Sequence, residues 1–268
     1  MKRNRYSWIN GLIALAVILP ILLLVLWSVS TRWPWPELMP HSFSWRGISD
    51  LWRQNYEFTQ ILLSSMLISI VVAALSLFIS LATSRAYILL QAKRSQMVLY
   101  QTLSLPFVIP AVVFGMGIHQ LMIQWGLNNT ATGVILVHLV YSLPYATYLI
   151  LDAYQSIGLE LEEQARLLGS TAFQAFRLVT FPLLLPVMAT AFSMSYIVSF
   201  SQYFLTSLIG GGQVRTFTIV MFPYLQNNDR PIASSYALVF LTFTFLVFLV
   251  FEGISKFLQR KYQTSYYY

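Results

Sequence analysis

Leu159-Glu160-Leu161-Glu162-Glu163-Gln164-Ala165-Arg166-Leu167-Leu168-Gly169, followed by Ser170-Thr171-Ala172-Phe173-Gln174-Ala175-Phe176-Arg177-Leu178-Val179-Thr180-Phe181-Pro182, is the stretch on which the fold of this chain turns. It reads as two short helices with a break at Gly169. Glu160, Glu162 and Glu163 crowd the first turn after Gly158, where the helix dipole favours negative charge. Gly169 suits the left-handed position that ends a helix. Thr171 followed by Gln174 has capping-box spacing for a second helix. Pro182 closes the stretch. Leu167, Leu168, Phe173 and Phe176 are apolar residues in a segment that ought to face water. A helical hairpin could bury some of them against its own neighbours, and a partner with a groove could take the rest. Periodicity leaves both readings open.

On either side of this stretch the sequence is apolar. Of 268 residues, 57% are hydrophobic and 9% charged, against roughly a quarter charged in an ordinary soluble domain. A membrane class follows. A helix needs about 20 mostly apolar residues to cross the hydrocarbon core. Segments near 8–30, 61–84, 98–124, 132–153, 183–208 and 232–255 meet that demand. The expected fold is all-α, a polytopic membrane protein with six transmembrane helices. The first segment follows Lys2, Arg3 and Arg5 like a signal peptide. Its apolar run is too long for a signal h-region and lacks a small-residue cleavage site, so a retained anchor helix is expected.

Lysine and arginine set the orientation. With the N-terminus in the cytoplasm, the inner segments hold Lys2, Arg3, Arg5, Arg85, Lys93, Arg94, Arg166, Arg177, Lys256, Arg260 and Lys261. The outer segments hold only Arg32, Arg46, Arg53, Arg215 and Arg230. Both termini are therefore expected inside, and residues 154–182 become the longest cytoplasmic loop. This asymmetry explains the net charge of +7 and the pI of about 9.6 without a nucleic-acid ligand. The absence of cysteine removes disulfides, thiolate metal sites and cysteine nucleophiles. Three parts follow: an anchor helix with an outer loop (1–60), a transmembrane domain (61–255) and a basic cytoplasmic tail (256–268). The outer loop carries Trp33, Pro34, Trp35, Pro36, Trp45 and Trp52. Tryptophans near a helix end mark the lipid–water interface; a protein-docking site is the alternative.

Polar residues at membrane depth are costly and usually face the bundle interior. His138, Tyr141, Tyr145 and Tyr148 fall on one face of the fourth crossing, and Ser195, Ser199 and Gln202 on one face of the fifth. His119, Gln120 and Gln124 lie near the outer end of the third. Lining a translocation pathway is one role for them; hydrogen bonding between helices is the other. Pro106, Pro110, Pro144 and Pro186 are expected to kink helices. Asp152 and Glu252 lie only near the cytoplasmic ends of crossings, which argues against an ion-coupled secondary carrier or channel. His41, His119 and His138 lack metal-ligand spacing, which argues against a membrane metalloenzyme.

Glu163-Gln164-Ala165, three residues, Gly169, nine residues, then Val179-Thr180-Phe181-Pro182 resembles the EAA loop of ABC importer permeases. That pattern is Glu-Ala-Ala, three residues, Gly, nine residues, Ile-x-Leu-Pro. The spacing matches throughout; Gln164, Val179 and Phe181 depart from the letters. Leu105-Pro106-Phe107-Val108-Ile109-Pro110 with Gly115 and Gly117 is similar to the family's third helix. His138 with Leu143-Pro144-Tyr145 is similar to its fourth. Ser199-Phe200-Ser201-Gln202-Tyr203, then Gly210-Gly211-Gly212 and Arg215-Thr216, resembles the end of its fifth and the next outer loop. The resemblance covers roughly residues 55–255.

This resemblance, to the binding-protein-dependent inner-membrane components of the polyamine, thiamine, iron and opine type, implies a non-catalytic permease subunit in a bacterial inner membrane. Its implied partners are two ATP-binding subunits, a second and non-identical permease chain, an extracytoplasmic substrate-binding protein and membrane lipid. The implied coupling residues are Glu163, Ala165, Leu168, Gly169, Phe173 and Pro182. The chain shows no Gly-x-x-x-x-Gly-Lys-Ser/Thr phosphate loop. No cofactor is expected in it, and ATP falls to the partner subunits. Within the family the expected substrate is a small organic solute such as a polyamine, although many such relatives carry an acidic residue where Ser201-Gln202 stands here.

Overall fold

A computed structural model describes residues 7–265 except 32, 34–36, 38, 54 and 90–92. Lys2, Arg3, Arg5, Arg32, Pro34, Trp35 and Pro36 lie outside the described residues, as do the side chains of Trp52 and Lys261. The described residues form helices α1 (Ser7–Ser28), α2 (Arg46–Arg53), α3 (Asn55–Leu89), α4 (Lys93–Val108), α5 (Ala111–Gln124) and α6 (Ala131–Ile157). After these come α7 (Glu160–Leu167), α8 (Ala172–Ala175), a π-helical turn (Phe176–Thr180), α9 (Phe181–Phe200), α10 (Phe204–Gly210), α11 (Phe217–Gln226) and α12 (Arg230–Ser265). The one extended pairing among them is an antiparallel bridge between Ser30 and Phe43.

Among the described residues, five helical segments are long and apolar enough to cross a membrane: Gly11–Ser28, Glu57–Leu89, Ala131–Ile157, Ala172–Phe200 and Arg230–Arg260. A bent pair, Gln96–Val108 with Ala111–Gln124, turned by 106°, makes a sixth when counted as one span. The sequence suggests one run over 98–124; the break at Ile109-Pro110 has a direct cause. Pro110 has no amide hydrogen and sits extended at φ −55, ψ 134, and a proline pushes the residue before it out of the helical region. The run expected at 183–208 also divides. The helix ends at Phe200, and α10 restarts after Ser201-Gln202-Tyr203.

The chain forms two compact units, 1–62 with 219–243 and 63–218 with 244–268. In the first, Gly47 is wedged against backbone: a Cβ there would lie 2.6 Å from the Pro231 carbonyl and 2.7 Å from that of Ser28. Arg46 reaches Asp229 at 3.3 Å. Arg230 donates to the Trp33 carbonyl at 3.1 Å and lies over the Trp27 ring. These ties hold the Trp-bearing loop, while Met39, Phe43 and Trp45 stay exposed.

The second unit is built inside out relative to a soluble domain. The buried face of α3 carries Ser65, Ser69, Ser76, Ser80 and Ser84, at helical spacing, while Leu63, Leu67, Leu75 and Phe78 face outward. In lipid there is no hydrophobic gain from burying leucine, so small residues that let helices approach, with hydroxyls that bond across, are the effective interior. Ser80 and Thr147 share a 2.9 Å hydrogen bond. α6 packs most extensively on α9, through Ala146, Ile150 and Ala191. Ile68, Val72, Met122, Val134, Val137, Leu205 and Ile209 fill a second cluster.

Candidate functional site

The stretch between α6 and α9 folds as its caps dictate. α7 opens after Gly158 with three glutamates in its first turn. It ends in a Schellman motif: Gly169 N–H donates to the Arg166 carbonyl at 3.0 Å and Ser170 N–H to the Ala165 carbonyl at 3.1 Å. This needs the left-handed φ of +96 at Gly169. The capping box at Thr171 and Gln174 is formed in both directions, at 3.2 and 2.9 Å. Pro182 follows in the first turn of α9, directly after the π-helical turn.

These turns put the apolar residues outside. Leu167 and Leu168 are each 88% exposed and Phe173 is 70% exposed. Glu163 is exposed beside them and Ala165 is half-buried. The chain therefore does not use its own helices to cover this edge.

The neighbouring glutamate does the opposite. Glu162 is buried, and it is the only buried residue of α7. Arg85, near the end of α3, grips it with both terminal guanidinium nitrogens at 3.0 and 3.1 Å, the bidentate geometry that suits arginine and carboxylate. The hydroxyl of Tyr154 on α6 donates to Glu162 Oε1 at 3.1 Å and that of Thr180 at 2.6 Å. Arg85 also donates to the Tyr154 oxygen at 2.9 Å and lies 4.4 Å from the Phe176 ring centroid. Sequence reasoning missed this node. Glu162 and Glu163 look alike in the first turn, and Arg85 is remote in sequence; its place at a membrane-helix end, next to the buried-serine face, was the available signal.

The membrane-depth residues separate into two kinds. His138 is buried, with Nδ1 2.9 Å from Ser199 Oγ and Nε2 2.9 Å from Thr206 Oγ1. Both ring nitrogens are thus occupied within the chain. The Gln202 backbone carbonyl accepts from Thr206 and Thr218. By contrast the hydroxyls of Tyr141 and Ser195 are buried with no hydrogen-bond partner among the described residues. Tyr145 and Tyr148 face the bent pair: Phe107 packs edge-on to Tyr145 at 4.9 Å, and Tyr148 hydrogen-bonds Ser104 at 2.6 Å. Among the described residues, no group of three or more His, Asp or Glu side chains could hold a metal ion.

Residues 79–264 match the model of a protein family described as the binding-protein-dependent transport system inner membrane component. A sulfate transport system permease of Salmonella typhimurium is 27% identical over 160 residues, 54% of this chain and 58% of that protein. A spermidine/putrescine transport system permease of Haemophilus influenzae is 20% identical over 220 residues, 81% of this chain and 85% of that protein. A thiamine transport system permease of Salmonella typhimurium is 26% identical over 270 residues, 92% of this chain but 47% of that protein. Several curated relatives are thus spanned over less than two thirds of their length. Among solved structures, a chain of a bacterial alginate ABC transporter, crystallised with an alginate pentasaccharide-bound periplasmic protein, superposes with a TM-score of 0.66 at 14% identity, over 95% of this chain and 96% of that one. That likeness shows a shared fold.

Proposed function

Since this chain belongs to the binding-protein-dependent transport system inner membrane component family, we propose that it is the permease subunit of an ATP-driven ABC importer, coupled to its motor through the loop at 154–182. The observation that carries this reading is the edge of Leu167, Leu168 and Phe173, exposed on a loop whose base is pinned by the buried Glu162. An exposed apolar edge on a short, capped helical hairpin fits a groove in a partner.

In this reading the loop and both termini face the cytoplasm of a bacterial cell, as the lysine and arginine distribution favours. Two ATP-binding subunits sit beneath two permease chains, the second non-identical, and a binding protein delivers substrate from outside. ATP is bound by those subunits. When they close on ATP, the seated loop moves with them and carries α6 and α9, which it joins. Glu163 stands exposed beside the apolar edge and meets a basic group of the ATPase. Ala165, Gly169 and Pro182 set the angles that present it.

The pathway runs between permease chains. Tyr141 and Ser195 are its polar markers, because a buried hydroxyl without a partner is costly in the hydrocarbon region, and water or substrate admitted between the helices would satisfy it. Tyr145 lies one turn from Tyr141 on α6; His138, Ser199 and Gln202 brace the wall from behind. The substrate is a small organic solute such as a polyamine, in keeping with the relative covered over most of both lengths. ATP hydrolysis by the reconstituted complex, titrated with the binding protein across a ligand panel, tests that choice. Stimulation by spermidine or putrescine supports it; a response to another solute alone removes it.

The test of the coupling reading is co-purification. Tagged wild-type chain, extracted from its host in mild detergent, retains an ATP-binding subunit. Gly169→Asp, which puts a side chain where φ is +96, loses it. Failure of wild type to retain any ATPase, or full retention and intact uptake in the variant, rejects the reading.

A further inference from the structure

Resting on that reading, we infer that Arg85 and Glu162 are a positioning pair that joins the coupling loop to α3, so that the two move as one body. The docking edge transmits force only if the loop does not give. Its backbone offers two joints: Gly158 at φ +72 before α7 and Gly169 at φ +96 after it. The apolar side chains of α7 do not anchor it, since Leu161 and Leu167 are exposed. What remains is Glu162, the single buried residue of the helix.

That carboxylate collects three parts of the fold at one point. Arg85 comes from α3, Tyr154 from α6 and Thr180 from the π-helical turn before α9. The guanidinium is fixed on another side by the Phe176 ring. Phe176 and Thr180 are the first and last residues of the π-helical turn, so one local widening of the helix supplies both contacts. π-Turns are uncommon and concentrate at functional positions. A lysine at position 85 could not reproduce the pair, because the two-pronged contact and the ring stacking need the flat guanidinium. Glu162 is thus the strut, and Glu163 is left free for the partner.

The chain has no cysteine, so spin labels can be placed cleanly. Leu89→Cys on α3 and Glu160→Cys on α7 are both exposed. Their separation is measured by pulsed electron resonance, in the full complex with its co-purified ATPase, with and without Mg-ATP. In the otherwise wild-type chain the distance stays the same in both states, because loop and helix travel together. In Glu162→Gln, and in Arg85→Lys, ATP shifts it by about 2 Å or more, the scale of helix displacements in switching proteins. Mere destabilisation would broaden the distance equally with and without nucleotide, so the ATP dependence is the diagnostic. Should Glu162→Gln not fold, Thr180→Val keeps the volume, removes one donor and gives the same shift in smaller degree. A distance that ignores ATP in every variant while the ATPase stays bound overturns the strut. If wild type retains no ATPase, the coupling reading fails instead; distances as narrow in the isolated variants as in the isolated wild type then overturn the strut as well.

Discussion

Replacing Leu167 and Leu168 together by alanine should separate docking from folding. Each leucine is 88% exposed, so the folded chain loses almost no buried contact, and its stability changes by no more than about 0.5 kcal/mol. The complex loses much more. Leu→Ala removes three carbons, about 2.4 kcal/mol at ~0.8 per methylene. Scaled by the 88% exposure available to a partner, that is about 2 kcal/mol per site. Two adjacent sites give about 4 kcal/mol if additive, which weakens ATPase binding by roughly 10²–10³-fold. The assay is titration of the ATP-binding subunit onto the nanodisc-reconstituted chain, paired with a thermal melt of the chain alone. An affinity within about threefold of wild type, equivalent to ~0.7 kcal/mol, would refute the docking edge. A large fall in melting temperature would show that the two leucines support the fold instead.

Further substitutions probe other parts of the structure. His138→Phe keeps volume but removes the bonds to Ser199 and Thr206, at ~0.6 kcal/mol each in a membrane interior. The thermal midpoint should fall modestly with ATP-driven uptake retained; lost uptake at an unchanged midpoint would return His138 to the pathway. Gly47→Ala pushes a methyl to within 2.6 Å of the Pro231 carbonyl, and overpacking of this kind costs about 1–3 kcal/mol. It should lower the melting temperature of the detergent-solubilised chain, and an unchanged melt would show that this contact relaxes freely.

The membrane class and the crossings were legible because bilayer thickness imposes a length and composition on each helix, whatever the tertiary context. The loop was legible for a similar reason: Gly169, Thr171 and Gln174 act through their own backbone within a few residues. What failed to show was set by distance in sequence. Periodicity alone could not decide whether Leu167, Leu168 and Phe173 fold back or stay outside, because that depends on the angle fixed at Gly169. Glu162 and Glu163 differ by one helical step, and only the arrival of Arg85 and Thr180 assigns one to the interior. The turn at Ile109-Pro110 was visible as prolines, but its 106° magnitude depends on what α4 and α5 pack against. His138 carried a signal of polarity without direction, and its two serine and threonine partners come from elements expected as one continuous helix.

The central claim is that this chain is a wall of a pore driven by a separate ATPase. Its most direct test is uptake into proteoliposomes holding this chain, its co-purified permease and ATP-binding partners and the binding protein. ATP is enclosed on the side of the 154–182 loop. Substrate accumulation that requires enclosed ATP, and disappears with the Leu167→Ala, Leu168→Ala pair, is the predicted result. Accumulation that proceeds without ATP on an ion gradient, or that is indifferent to the loop substitutions, would contradict it.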